Sequence, residues 1–215
     1  MADLDPTRQR ILEAAGALFA AHGYDAVSIR EITGAAEVNT AAVNYHFRNK
    51  EELYIAAVRH ASIECERLTP TPTTWPAGVP AEQRLRDYIA AFLHRLMRRD
   101  GVEWHRRLIF REMAEPRLGA CEQFVENLVR PSFHVLLGIV RDFVPPATPD
   151  RLVRLLASSI VGQILHYHHC RHVIRLLEGA EGDAALQEPT LVEHITQFSL
   201  AALRGYPYEQ SETQA

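Results

Sequence analysis

The chain has 215 residues, 47% hydrophobic and 23% charged, with a formal net charge of −4. These proportions describe a globular chain with room for one or two domains, and the acidic balance excludes nucleic-acid binding by bulk positive charge. Three scattered cysteines, Cys65, Cys121 and Cys170, point to a reducing compartment. MADLDPTRQR has no signal-like apolar run and no later run approaches membrane-spanning length, so a cytoplasmic protein without a membrane partner is expected.

The first helix is expected from Pro6 or Thr7 to His22, with proline suited to a first turn and Gly23 to a C-terminal cap. Ile11, Leu12, Ala15, Leu18 and Phe19 give it an apolar face. Gly16 and Gly34 lie inside expected helices, each costing about 1 kcal/mol against alanine, and close packing is the expected reason.

Residues 28–50, SIREITGAAEVNTAAVNYHFRNK, read as two short helices joined by a tight turn. Ser28 and Glu31 are spaced as a capping box, and Ile29, Ile32, Ala35 and Ala36 make the buried stripe. The turn falls at Glu37 and Val38, and Asn39 caps a second helix from Thr40 to Phe47. In that helix Ala42, Val43 and Phe47 point inward, leaving Thr40, Ala41, Asn44 and Tyr45 on or near the opposite face. Such a face can lie against base edges, because asparagine can pair with adenine and small methyl groups can touch thymine; Tyr45 and His46 suit bases or phosphates. Asn49 and Glu52 repeat the capping-box spacing. Lys50, the only lysine among 23 basic residues, then stands in the first turn of a fourth helix, where its charge and free backbone N–H groups suit a phosphate. Residues 1–68 hold 7 basic and 10 acidic side chains, so affinity for DNA has to come from a few placed groups and from two copies acting together.

From Thr7 to about Ala61 the chain resembles the DNA-binding domain of the TetR family of bacterial transcriptional regulators. The resemblance lies in ILEAAxxLFxxxGY, S-x-R-E-I, the small-residue start of the third helix, the Y-H-F ending and N-K-E-E-L-Y. It covers about a quarter of the chain. V-N-Y-H-F resembles the subgroup with a CecR-type C-terminal domain, although Asn44 stands where many members carry an aromatic or aliphatic residue. The resemblance implies a sequence-specific regulator of double-stranded operator DNA, with Ser28, Arg30, Asn39, Thr40, Ala41, Asn44, Tyr45, His46 and Lys50 as DNA-contact candidates.

The fourth helix continues to Leu68, burying Leu53, Tyr54, Ala57, Val58 and Ala61. TPTPTTWPAGVP, residues 69–80, breaks helix continuity with four prolines and a glycine, and part of it is expected to be mobile. Helices are then expected over 81–99, 102–114, 117–129, 131–144, 149–177 and 189–204, with prolines at 116, 131, 149 and 189 fitting helix starts. The fold expected is all-α. A three-helix DNA-binding domain (1–50), a connecting helix (51–68) and a Pro-rich loop (69–80) lead to a helical ligand-binding and dimerisation domain (81–205) and a tail (206–215).

HRRLIFREMAEP, residues 105–116, resembles the R-E-M/L-x-x-P stretch of the CecR-type domain, a short match. Phe110 and Met113 offer apolar wall, and Arg106, Arg107 or Arg111 could meet an anionic group. The competing reading is surface pairing of Glu103 with Arg107 and Arg111 with Glu115. Arg106, Phe110, Arg111, Met113, His166, Tyr167 and His169 are the candidates for contact with a small-molecule effector. The last two helices carry broad apolar stripes, which the resemblance implies pair across a two-fold axis. Leu156, Ile160, Gln163, Ile195, Phe198 and Ala202 are the dimerisation candidates, and intrachain core is the alternative.

HYHHCRH, residues 166–172, offers i,i+3 and i,i+4 metal-ligand pairs, but its side chains spread around the helix and no second cluster accompanies it. Pocket or interface histidines are preferred, and neither metal nor cofactor is expected. No nucleotide, hydrolase or metalloprotease motif is present, so catalysis has no positive support. The expected function is a homodimeric repressor released from a palindromic operator by a small molecule, in a setting such as drug or xenobiotic transport. The alternatives are a metal-responsive regulator sensing through 166–172, or a helical enzyme or partner-binding protein.

Overall fold

The computed structural model describes residues 5–97, 103–117 and 119–208, which are helical with no strand among them. The helix ends expected between 98 and 102, and the last residues of the tail, lie outside that range. The chain groups into two compact units, residues 1–68 with 99–131 and residues 69–98 with 132–215. The stretch following residue 98 therefore packs with the N-terminal helices, although the sequence assigns it to the later domain.

In the first unit α1 (Pro6–His22), α2 (Ile29–Ala36), α3 (Thr40–Phe47) and α4 (Lys50–Leu68) are joined by α6 (Glu103–Ala114), α7 (Ala120–Phe124) and a π turn, Val125–Val129. Their shared core contains Ile11, Leu12, Ala15 and Phe19 of α1, Ile32 of α2, Val43 and Phe47 of α3, the five expected α4 residues, and Leu108 of α6. Phe19, Tyr24 and Tyr54 meet at centroid distances of 5.1–6.0 Å, edge-on or stacked. Ala35 faces solvent; Thr33 takes its place in the buried stripe, its hydroxyl donating to the Arg30 carbonyl at 2.9 Å.

The two helical glycines differ. A Cβ on Gly16 would stand 2.1 Å from the Trp104 ring, so this glycine lets an indole lie against α1. Gly34 has nothing within 4 Å of that position, and close packing does not explain it.

The second unit contains α5 (Ala81–Met97), most of α8 (Arg130–Arg141), α9 (Asp150–His169), α10 (Arg171–Glu178), α11 (Ala180–Ala185) and α12 (Glu188–Gly205). The 69–80 segment is held against α5. The Arg95 guanidinium donates to the Thr69 carbonyl (2.6 and 3.1 Å) and Thr71 hydroxyl (2.9 Å), and the Trp75 indole donates to Asp87 (2.8 Å). Side chains of α5 thus meet the Thr69 carbonyl and the Thr71 and Trp75 side chains of this segment.

Two helix boundaries also differ from expectation. Pro131 does not start a separate helix; α7, the π turn and α8 are continuous, so proline sits at the second position after the wider turn. The expected helix over 149–177 breaks at Cys170, where the backbone leaves helical geometry (φ −87°, ψ 6°), and α10 follows. The short α11 has no apolar periodicity by which sequence could find it.

Candidate nucleic-acid interface

Local chemistry fixes α2 and α3. The Ser28 N–H donates to Glu31 (2.7 Å) and the Glu31 N–H donates back to the Ser28 hydroxyl (3.2 Å), closing the capping box; the Ser28 hydroxyl and N–H, both donating to the Glu31 carboxylate, hold it below its ordinary range. Glu37 ends α2 in the left-handed region at φ 53°, and Asn39 accepts from the Ala42 N–H at 2.9 Å to start α3. With Val43 and Phe47 buried, rotation of α3 about its axis is fixed.

The opposite face of α3 is open. Thr40, Ala41 and Asn44 are exposed, and Tyr45 is 84% exposed. His46 departs from expectation: its side chain is only 10% exposed and lies 3.7 Å from the Asp5 carboxylate, so it braces α3 against the start of α1. Asn39 spends its side-chain oxygen on the cap, while Ser28 and Arg30 are exposed at the start of α2.

Asn49 accepts from the Glu52 N–H at 2.8 Å, starting α4. Lys50 is half-buried, with its ammonium 4.3 Å from the centre of the Tyr24 ring; Arg117 lies over the same ring at 4.4 Å. Arg117 also pairs with Asp25. The Tyr24 ring limits how Lys50 can swing, a restraint that lowers the entropy lost on meeting an anion.

In 105–116 the central group is a residue sequence reasoning did not select. Glu112 is fully buried, accepting from the Tyr54 hydroxyl at 2.8 Å and the Arg117 N–H at 2.6 Å. It thereby ties α4 to the turn after α6. Burial and the adjacent carboxylate raise the Tyr54 phenol above its ordinary range. The local cue that separates Glu112 from a surface glutamate is its position on the apolar face of α6, with Leu108 and Ile109.

The effector candidates are divided between the units: Arg106, Phe110, Arg111 and Met113 lie on α6, and His166, Tyr167 and His169 on α9. Arg111 lines a small cavity of about 150 Å³ with Tyr24, Tyr54 and Arg117. None of the seven lines the cavity of about 540 Å³ in the second unit, which is walled by Trp75, Arg84, His134 and Gly138. The Tyr167 hydroxyl is 3.1 Å from His194, and His169 Nδ1 is 2.9 Å from the Leu165 carbonyl.

The dimerisation candidates also separate. Leu156, Ile160 and Ile195 are buried within the second unit, in line with the alternative of intrachain core; Phe198 is 57% exposed and Ala202 is exposed. Gln163 bridges α9 and α12 through a weak 3.4 Å contact with the Ser199 hydroxyl. Leu155, at 55% exposed, occupies the outward position that Leu156 was expected to fill.

Two family models match the chain: the bacterial regulatory proteins of the tetR family over residues 11–57, and the C-terminal domain of the HTH-type transcriptional dual regulator CecR over residues 81–203. The transposon Tn10 TetC protein of Escherichia coli is 36% identical over 178 residues, covering 81% of this chain and 84% of that protein. The transcriptional repressor DhaR of Mycobacterium sp. is 32% identical over 42% of this chain, a match that spans 46% of DhaR. Among solved structures, a tetR-family regulator from Streptomyces coelicolor aligns with TM-score 0.61 at 22% identity, covering 94% of this chain and 83% of that one. AibR, solved with isovaleryl coenzyme A and operator DNA, aligns with TM-score 0.60 at 16% identity, covering 89% and 97%. These structural likenesses are of fold. With a family model matching more than half its length, the chain belongs to the TetR family of bacterial regulatory proteins, carries a CecR-type C-terminal domain, and is a DNA-binding transcriptional regulator rather than an enzyme.

Proposed function

We propose that the protein is a cytoplasmic, homodimeric repressor that binds a palindromic operator and is released by a small-molecule effector. The observation that carries the DNA reading is the outward face of α3. Thr40, Ala41, Asn44 and Tyr45 are exposed on a helix whose rotation is fixed by caps and buried side chains. In the proposed complex Asn44 and the small residues meet base edges, while Tyr45, Lys50, Ser28 and Arg30 meet the backbone or flanking bases. Asn39 orders the helix, and His46 supports it from behind.

A dimer answers the charge problem, because two readers about 34–36 Å apart add their contacts without a basic surface. The outward positions Leu155, Gly162, Phe198 and Ala202 on α9 and α12, with Gln163 at their edge, are the proposed contact surface. Effector contacts are proposed on α6 (Arg106, Phe110, Arg111, Met113) and α9 (His166, Tyr167, His169). An effector lowers operator affinity only by the difference in its affinity for the bound and released states.

The test is an electrophoretic shift with DNA upstream of the protein's own gene at two salt concentrations. Wild type and Tyr45→Ala are compared, followed by an effector screen. Salt-sensitive binding that Tyr45→Ala weakens supports the reading. Equal binding by both proteins removes α3 as the reader.

A further inference from the structure

Three residues from three helices of the first unit approach one another. Glu13 comes from α1, His60 from α4 and His105 from α6, and a ligand-type atom of each lies within 4.8 Å of the others. It is the one such grouping of three among the described residues. His60 Nε2 is 3.2 Å from a Glu13 carboxylate oxygen. Nitrogen and oxygen ligands about 2.0–2.2 Å from a tetrahedral zinc ion stand about 3.3–3.6 Å apart, so this pair needs to open only slightly to share an ion.

His105 supplies the independent observation. It is 4% exposed, and neither ring nitrogen has a hydrogen-bond partner. A neutral imidazole has one donor and one acceptor to satisfy, and burial without either is disfavoured. Its ring stands 5.3 Å, centre to centre, from that of His60. A cation held by His60 and Glu13 would engage one His105 nitrogen.

The surroundings resemble an outer ligand shell. The Trp104 indole donates to Glu13 Oε2 at 3.1 Å and the Gln9 amide donates to Glu13 Oε1 at 2.7 Å, fixing the carboxylate from two sides. Trp104 reaches that place because Gly16 leaves room for its ring against α1. Hydrogen bonds of this kind orient metal-binding carboxylates.

We propose that Glu13, His60 and His105 form a binding site for a divalent transition-metal ion of the zinc class, with a fourth position open to water or a solute. Two imidazoles and a carboxylate suit zinc and its neighbours over magnesium or calcium, which favour all-oxygen ligation. The bound ion clamps α1, α4 and α6 together. This stands apart from the DNA reading, because occupancy is measured without DNA.

The test uses full-length protein without an affinity tag, stripped with chelator and titrated with Zn²⁺ alone. Four proteins are compared: wild type, Glu13→Gln, His60→Gln, and a form with His166, His168, His169 and His172 all changed to Gln. Circular dichroism checks that each is folded. The expected result is one Zn²⁺ per chain, with affinity reduced by about 10–100-fold or more in Glu13→Gln and His60→Gln and retained in the tract variant. Co²⁺ in place of Zn²⁺ should give visible absorption without a thiolate charge-transfer band, excluding cysteine ligation by Cys65 or Cys170. No stoichiometric Zn²⁺ on wild type, or binding that survives Glu13→Gln and His60→Gln while disappearing from the tract variant, overturns the proposal.

Discussion

The helix pair α2–α3 and the helix pair α9–α12 both carry apolar stripes, yet they present them differently. In α2–α3 the signals that start and stop each helix are local: Ser28 with Glu31, Asn39 with Ala42, and the turn at Glu37. Once Val43 and Phe47 are buried, the outer face follows from helical geometry. In α9–α12 the apolar stripe is wider than one neighbour needs, so a one-residue rotation exchanges core for surface. Leu156 is buried while Leu155 is 55% exposed, and Ile195 is buried while Phe198 is 57% exposed. Periodicity finds both pairs of helices, and in α3 it also assigns the buried side to Val43 and Phe47, whereas in α2 Thr33 rather than Ala35 is buried.

The sharpest test of this difference lies within α12. Ile195→Ala removes fully buried methylene and methyl groups and should cost about 2–5 kcal/mol, read as a lower urea midpoint with little change in slope. Phe198→Ala should leave the unfolding of the subunit nearly unchanged while shifting a sedimentation profile toward monomer. Equal loss of stability from both would mean that α12 has no separate outer face.

A second test concerns the first unit. Gly16→Ala improves intrinsic helix propensity by about 1 kcal/mol, but its Cβ would stand 2.1 Å from the Trp104 ring. Displacing a large indole from a packed site should outweigh that gain and destabilise the protein by about 1–3 kcal/mol in denaturant unfolding. A stabilised Gly16→Ala protein would show that Trp104 can relocate at little cost.

Tyr45→Ala tests the open face directly. The side chain is 84% exposed, so unfolding should be unaffected. Loss of one specific contact, about 1–3 kcal/mol, should lower affinity roughly 5- to 150-fold for each half-site engaged, read in a fluorescence-anisotropy titration. A fall in stability with affinity preserved would reverse the roles assigned to this face.

How much of the molecule was legible follows the range of the interactions. The bounds of α3 and α4, and the five buried apolar residues of α4, are set by caps and periodicity within a few residues. The burial of Glu112 depends on Tyr54, which is 58 residues away in sequence, and the approach of His60 to Glu13 spans 47. No spacing rule brings such residues together, because helix packing does so. The burial of His46 has the same kind of origin, because Asp5, before α1, lies beside it. The break at Cys170 and the π turn at Val125–Val129 have no glycine or proline to announce them.

The smallest expected effect is the most exacting for the comparison, because it tests local propensity without packing. Gly34 lies in α2, is exposed, and would bring an added Cβ within 4 Å of nothing. Its φ is not in the left-handed region, so alanine can adopt the existing backbone without strain. Gly34→Ala should therefore raise stability by up to about 1 kcal/mol, partly by restricting the unfolded chain, and the gain should appear as a higher melting temperature in a thermal scan. The same substitution at Gly16 is expected to have the opposite sign, although sequence propensity treats the two alike. If both sites respond in the same direction, helix propensity dominates in α1 as in α2, and the packing of Trp104 against Gly16 contributes less than its geometry implies.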